Sequence, residues 1–356
     1  MIIGLIAFIL YLYFFVGFNE LLSVVGNLNS MNYVFYYSLA IVATVLSVLC
    51  VAAAWHDLLK SLSVKVKLRS VFLYTWVGYF VDLIVPCQAV CGEVTRIYLV
   101  HKENRENYGP IAASSLTNRM ITYFMSSAGL LAGIALVLTR SSQVPALILE
   151  LLVAALIGTG IYLAVLSYLA FNEHAAGKLV GILFKVVNAL GLSKYVAADL
   201  PERIQSSLLL LHQGFKTFRD KPRHLLKPLF FQLLSLLLSL SVYVLVFYSL
   251  GLTNLYADFF IIMYFIVGTV QIAAAVFSVG TFDIALANLF VFYGVPDIGF
   301  GALAATLLRF LTFWMPIVVG YVAVQVIGAR TLLNPKMRED IGVQQTVEGN
   351  VSTPKN

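Results

Sequence analysis

Apolar residues along this chain come in long blocks, not in the alternation of a strand or the single stripe of a water-facing helix. Eight blocks approach or exceed the ~20 residues a helix needs to cross a bilayer core: 2–24, 33–54, 71–90, 110–138, 144–170, 228–250, 257–279 and 301–327. Between them lie short polar loops and one long amphipathic, basic stretch, 172–227. The pattern predicts an all-α polytopic membrane protein. The first block, MIIGLIAFILYLYFF, carries no basic lead and no small-residue cleavage site, so it is expected to be a first membrane helix and not a removed signal peptide. The tail 334–356 is polar and Pro-containing and is expected to be disordered.

Charge placement changes the simplest topology. If all eight blocks crossed, the basic loop 56–70 would face away from the still more basic 172–227, although Lys and Arg collect on the cytoplasmic side. The conflict disappears if 71–100 and 257–294 each enter the membrane and turn back. Then 56–70, 96–109, 172–227 and 328–356 are all cytoplasmic, both termini included, with Arg140 the lone basic residue outside. Helix-breaking chemistry stands at both expected turns, Val85-Pro86 and Gly280-Thr281. Non-helical backbone at membrane depth survives only where protein or a wet cavity satisfies it, so this topology predicts a cavity.

The chain also aligns with itself at an offset of 190 residues: YTWVG (74–78) meets YFIVG (264–268), Glu93 meets Asp283, and Arg119-Met-Ile-Thr-Tyr-Phe-Met125 meets Arg309-Phe-Leu-Thr-Phe-Trp-Met315. In both halves 26 residues separate the acid from the arginine. Matched apolar residues count for little, but an arginine within an apolar span costs about 2.5–3.5 kcal/mol or more. Segment 33–54 is expected to run opposite to its partner 228–250, so the repeat is inverted. The expected architecture is therefore one membrane domain, 1–333, with halves 33–139 and 228–327, two re-entrant helical hairpins and about six full spans. The connector 172–227 is expected at the cytoplasmic interface, against anionic lipid.

Composition narrows the function classes. Of 356 residues, 60% are hydrophobic and only 11% charged, against ~25% charged in soluble domains, and the mean hydropathy is +0.91. A soluble enzyme is excluded, and no polar stretch can house an appended catalytic domain. The net charge of +6 follows from the cytoplasmic loops, so nucleic acid is not an expected partner. Three cysteines (Cys50, Cys87, Cys91) and five loop histidines form no ligand cluster; no metal, cofactor or catalytic residue is expected.

The charged residues within the apolar blocks are Asp82, Glu93, Arg119, Asp283 and Arg309, with Arg96 just past the first turn. Arg119 and Arg309 lie nine or ten residues into their segments, roughly 13–15 Å deep and near mid-membrane. A guanidinium fork matches phosphate oxygens, and helix N-termini at the turns, beside Gly92 and Gly280, add N–H groups and a positive dipole end. The expected substrate-binding set is Arg119, Arg309, Glu93, Asp283, Arg96, Gly92 and Gly280. The competing reading makes Glu93–Arg119 and Asp283–Arg309 buried ion pairs that only hold each hairpin. Asp82 faces Ile272 in the alignment and is read as local.

Pro86…Gly92-Glu93-x-x-Arg96, then Asn118-Arg119, and in the second half Gly280-x-x-Asp283, then Arg309…Pro316-x-x-x-Gly320, resemble the transmembrane region of the lysylphosphatidylglycerol synthase family. That region is the lipid-flipping half of the bacterial multiple-peptide-resistance factor and also occurs as free-standing membrane proteins. This chain departs from the family in three places: Ser278-Val279 before Gly280, Asp283 where Glu is usual, and Asn118 where Glu commonly precedes the arginine. The resemblance implies lipid handling without lipid synthesis. Residues and resemblance together lead to the expectation of a cell-membrane lipid translocase for a phosphate-containing lipid or polyprenyl phosphate. Its partners would be membrane lipids and at most a second copy of itself. A proton-coupled transporter of a small anion and a non-transporting scaffold for lipid-modifying or glycosyl-transfer enzymes are the rivals.

Overall fold

The computed structural model describes residues 26, 30–85, 90–139, 146–172, 200–255, 259–265, 267, 281–292 and 295–333. The apolar block 2–24, Pro86, Cys87, Arg140, residues 173–199, Gly280 and the tail 334–356 lie outside the described residues, as does the side chain of Asp283.

Every regular element among the described residues is helical. In chain order these are α1 (Ser30–Ser61), α2 (Leu68–Ile84), α3 (Val90–Asn104), α4 (Tyr108–Thr139), α5 (Ala146–Phe171) and α6 (Leu200–Asp220). A 3₁₀ turn (Pro222–Leu225) leads into α7 (Leu226–Ser249), a helical stretch over 259–265, α8 (Thr281–Phe292) and α9 (Ile298–Arg309). A π-helical turn (Phe310–Trp314) then joins α9 to α10 (Met315–Leu333). By length and composition, Ser30–Ser61, Pro222–Ser249 and Ile298–Gly328 can each cross a membrane.

α1 and α7 form the centre of the bundle because small residues let their backbones approach. Ala40, Ala43 and Ser47 recur at helical spacing on α1 and are buried; the Ser47 hydroxyl bonds those of Ser235 (2.9 Å) and Ser239 (2.8 Å) on α7. Both helices end in the same hydrogen-bonded cap. On α7, Gly251 takes a positive φ (79°) while the Leu252 N–H reaches back to the Phe247 carbonyl (3.1 Å). On α1, Ser63 does the same (φ 64°), with the Val64 N–H on the Leu59 carbonyl (3.0 Å). This left-handed cap favours glycine, and α1 achieves it with serine. A cluster of Phe247, Phe259, Phe260 and Phe290 packs edge to face where α7 ends.

α2 and α3 pack together as a hairpin of short helices, 17 and 15 residues, or about 25 and 22 Å. Neither length covers the ~30 Å hydrocarbon core. At the base, Ser70 and Tyr74 each donate 2.9 Å hydrogen bonds to the Glu103 carboxylate. At the tip, the Gly92 N–H donates to Asp82 Oδ1 at 2.7 Å. Between these ties the helices nearly touch. A Cβ on Gly92 would fall on the Gly78 carbonyl and the Asp82 carboxylate, and one on Gly78 would fall on the Arg96 side chain. α10 closes over α2 in the same way, Gly320 lying against the Trp76 carbonyl and Phe80.

Candidate functional site

α3 begins at Val90 and carries Glu93 in its first turn, where a carboxylate suits the positive end of the helix dipole. Arg96 follows one turn later on the same face. Its Nη1 donates to Glu93 Oε1 at 3.0 Å. Arg119, from α4, brings its own Nη1 to 3.6 Å from that same oxygen, and the Ser115 hydroxyl donates to Glu93 Oε2. One carboxylate therefore serves two guanidiniums and a hydroxyl. The cluster is mostly out of solvent: side-chain exposure is 17% for Glu93, 6% for Arg96 and 16% for Arg119.

The helical four-residue spacing explains how α4 supplies its share. Ser115, Arg119 and Tyr123 lie on one face, and the Arg119 guanidinium sits 5.9 Å from the Tyr123 ring centre. Arg96 stacks over Tyr79 of α2 at 4.9 Å. Asn118, turned to another side of α4, accepts from Gln232 Nε2 of α7 at 2.9 Å, which ties this turn of α4 to the bundle centre.

Tyr79 and Tyr123 are also walls of a cavity of about 490 Å³ among α1, α2, α4, α5, α7, the 264–265 stretch and the π turn. Its polar lining comprises Thr44, Ser47, Asp82, Ser126, Thr159, Ser239, Tyr243, Tyr264 and Thr312. No arginine is among its described lining residues; Arg96 and Arg119 reach it only through the tyrosine rings on which they stack. Asp82 is thus more than a local tie, since its carboxylate both holds the hairpin tip and borders the cavity.

Arg309 is buried (6% exposed) at the end of α9. Its guanidinium stacks on Phe313 at 4.3 Å, the same four-residue arginine–ring relation as Arg119 and Tyr123. The π turn starts at the next residue, and Thr312 and Pro316 carry this segment to the cavity wall.

Of the expected set, the structure brings together Glu93, Arg96, Arg119 and Gly92, and places Arg309 on a separate helix beside the cavity-lining π turn. The contacts of Asp283 and Gly280 fall outside the description. Sequence reasoning missed Ser115, Tyr79, Tyr123 and the cavity-facing role of Asp82. For Ser115 and Tyr123 the signal was available, one turn before and one turn after a buried arginine.

Apolar helices packed around ionised groups define a helical membrane protein with charge inside its bundle. Residues 1–320 match the family described as Lysylphosphatidylglycerol synthase TM region, and the chain belongs to that family. It is 23% identical to UPF0104 membrane protein MJ1595 of Methanocaldococcus jannaschii over 327 residues, 90% of this chain and 92% of that one. No solved structure matches it.

Proposed function

We propose that the protein is a lipid translocase that passes a phosphate-bearing headgroup, on an anionic phospholipid or a polyprenyl phosphate, through the cavity lined by Tyr79 and Tyr123. The observation that carries this reading is the sharing of one Glu93 carboxylate by Arg96 and Arg119, which stack on two tyrosines that line a largely apolar cavity edged with hydroxyls. A phosphate reaching the cluster offers the guanidiniums a better-matched anion than a shared carboxylate does. Hydroxyls along the cavity compensate the headgroup's desolvation, which is the barrier to crossing. No covalent step is required.

The proposal includes a topology. α2–α3 and the segment 257–294, part of which lies outside the described residues, are re-entrant hairpins of an inverted repeat, with cytoplasmic termini and a single membrane domain. The shortness of α2 and α3 supports re-entry. The repeat is supported by matched arginine–ring pairs at 119/123 and 309/313, which keep the 190-residue offset. Arg309 with Asp283 is then the second half's counterpart of Arg119 with Glu93.

The test is reconstitution in proteoliposomes with a labelled phospholipid in one leaflet. Wild type should equilibrate the label between leaflets. Arg119→Ala should slow it about tenfold, the value of one charge-assisted hydrogen bond, and Arg119→Lys should also slow it because a fork becomes a point charge. Label that stays in place while a soluble organic anion accumulates would replace this reading with the small-anion transporter.

A further inference from the structure

A second cavity, of about 500 Å³, lies away from the first, between α4, α5, α6 and the start of α7. Its walls are apolar, including Ile121, Leu163, Phe215, Phe218 and Leu229. Two features set it apart from an ordinary packing gap. The Thr117 side chain lines it, is 6% exposed, and has a hydroxyl with no hydrogen-bond partner among the described residues. Buried hydroxyls are rarely left in that state, and mid-helix threonines usually bond a carbonyl one turn back. Arg219 also lines the cavity, and around it the end of α6, the following turn and the first turn of α7 expose Lys216, Lys221, Arg223 and Lys227, with Asp220 the one acid among them.

We propose that this groove holds one acyl chain of an anionic phospholipid from the leaflet that this end of the molecule faces, with the lipid phosphate on Arg219. The apolar wall takes the chain, and the Thr117 hydroxyl donates to an ester oxygen of the glycerol backbone. The basic rim supplies the charge complement, each Lys or Arg near a lipid surface contributing about 1 kcal/mol of attraction to anionic headgroups. The assignment does not depend on translocation; it requires only that the chain resides in a bilayer. It does bear on the ion cluster, because Thr117 is two residues before Arg119, so a lipid here leans on the turn of α4 that carries that arginine.

The test uses the full chain in nanodiscs of phosphatidylglycerol or phosphatidylcholine, with a photoreactive benzoylphenylalanine replacing Phe218 in the groove or Val318 on the outer face of α10. The Phe218 probe should give a lipid adduct about fivefold stronger with phosphatidylglycerol, and Arg219→Glu should abolish that preference. The Val318 probe should label both lipids alike. Native mass spectrometry of chains without the probe should show phosphatidylglycerol retained by wild type and lost from Arg219→Glu. The assignment is overturned by equal labelling of the two lipids at Phe218, by retention that Arg219→Glu leaves unchanged, or by adducts to peptides from residues 1–29, 173–199 or a second copy.

Discussion

The neighbourhood of Arg119 and that of Arg309 differ in what surrounds two similar arginines. Arg119 lies in a polar cluster, with Glu93 and Arg96 from α3 and Ser115 one turn away. At the positions 190 residues on from Arg96 and Ser115, the chain has Leu286 and Ala305, both buried at 4% and 0% exposure. The ring under the guanidinium is tyrosine in one case and phenylalanine in the other. The stacked arginine is common to both regions, while the positions that supply Arg96 and the Ser115 hydroxyl in the first are apolar in the second. A stacked ring needs only a helical spacing, whereas a shared carboxylate needs a second helix at the right distance, and the zipped α2–α3 hairpin provides it.

The sharpest way to break this contrast is Glu93→Ala. Removing the shared carboxylate leaves two guanidiniums facing each other in a mostly buried site and should cost about 3 kcal/mol or more. A melting temperature in detergent equal to that of wild type would mean the cluster does not hold the first region together. Gly92→Ala comes next: its methyl group must push α3 off the Gly78 carbonyl, at about 1–3 kcal/mol. Disulfide trapping between engineered cysteines on α2 and α3 should become slower if the tip opens, and an unaltered rate would argue against the close approach. Ser115→Ala removes one bond to Glu93 and should lower stability by about 1 kcal/mol, read from the same melting curves. Smallest of all is Tyr123→Phe, which gives Arg119 the ring that Arg309 has. The stack should survive and stability should stay within about 0.5 kcal/mol; a larger loss would show that the phenol oxygen matters to the first region.

The sequence made some of this legible. Among the described residues, hydrophobic blocks located α1, α2, α4, α5, α7 and the α9–α10 run because in lipid an apolar run has few alternatives to helix. The Glu93–Arg119 partnership was also readable, since a buried arginine requires an acid and only a few are available. What stayed hidden is rotational. Helical spacing says that Ser115, Arg119 and Tyr123 share a face, but which face meets α3 and which ring turns to the cavity depend on how the helices pack. Asp82 was passed over for the same reason. It lacks a partner in the repeat, yet the α2–α3 crossing puts it at both the hairpin tip and the cavity wall.

One further consequence comes from the π turn. The Met315 N–H bonds the Phe310 carbonyl five residues back, and Pro316, with no N–H and a ring that collides with the carbonyl four residues earlier, favours such a loosened turn. A π turn absorbs one additional residue, so everything beyond it is rotated by about 100° relative to an unbroken α-helix. That phase shift is what lets Gly320, and not bulky Val319 or Tyr321, meet the Trp76 carbonyl of α2. α4 runs through Met125 as continuous α-helix, so the two arginine-bearing helices stay aligned letter by letter beyond the arginines while drifting out of step in space.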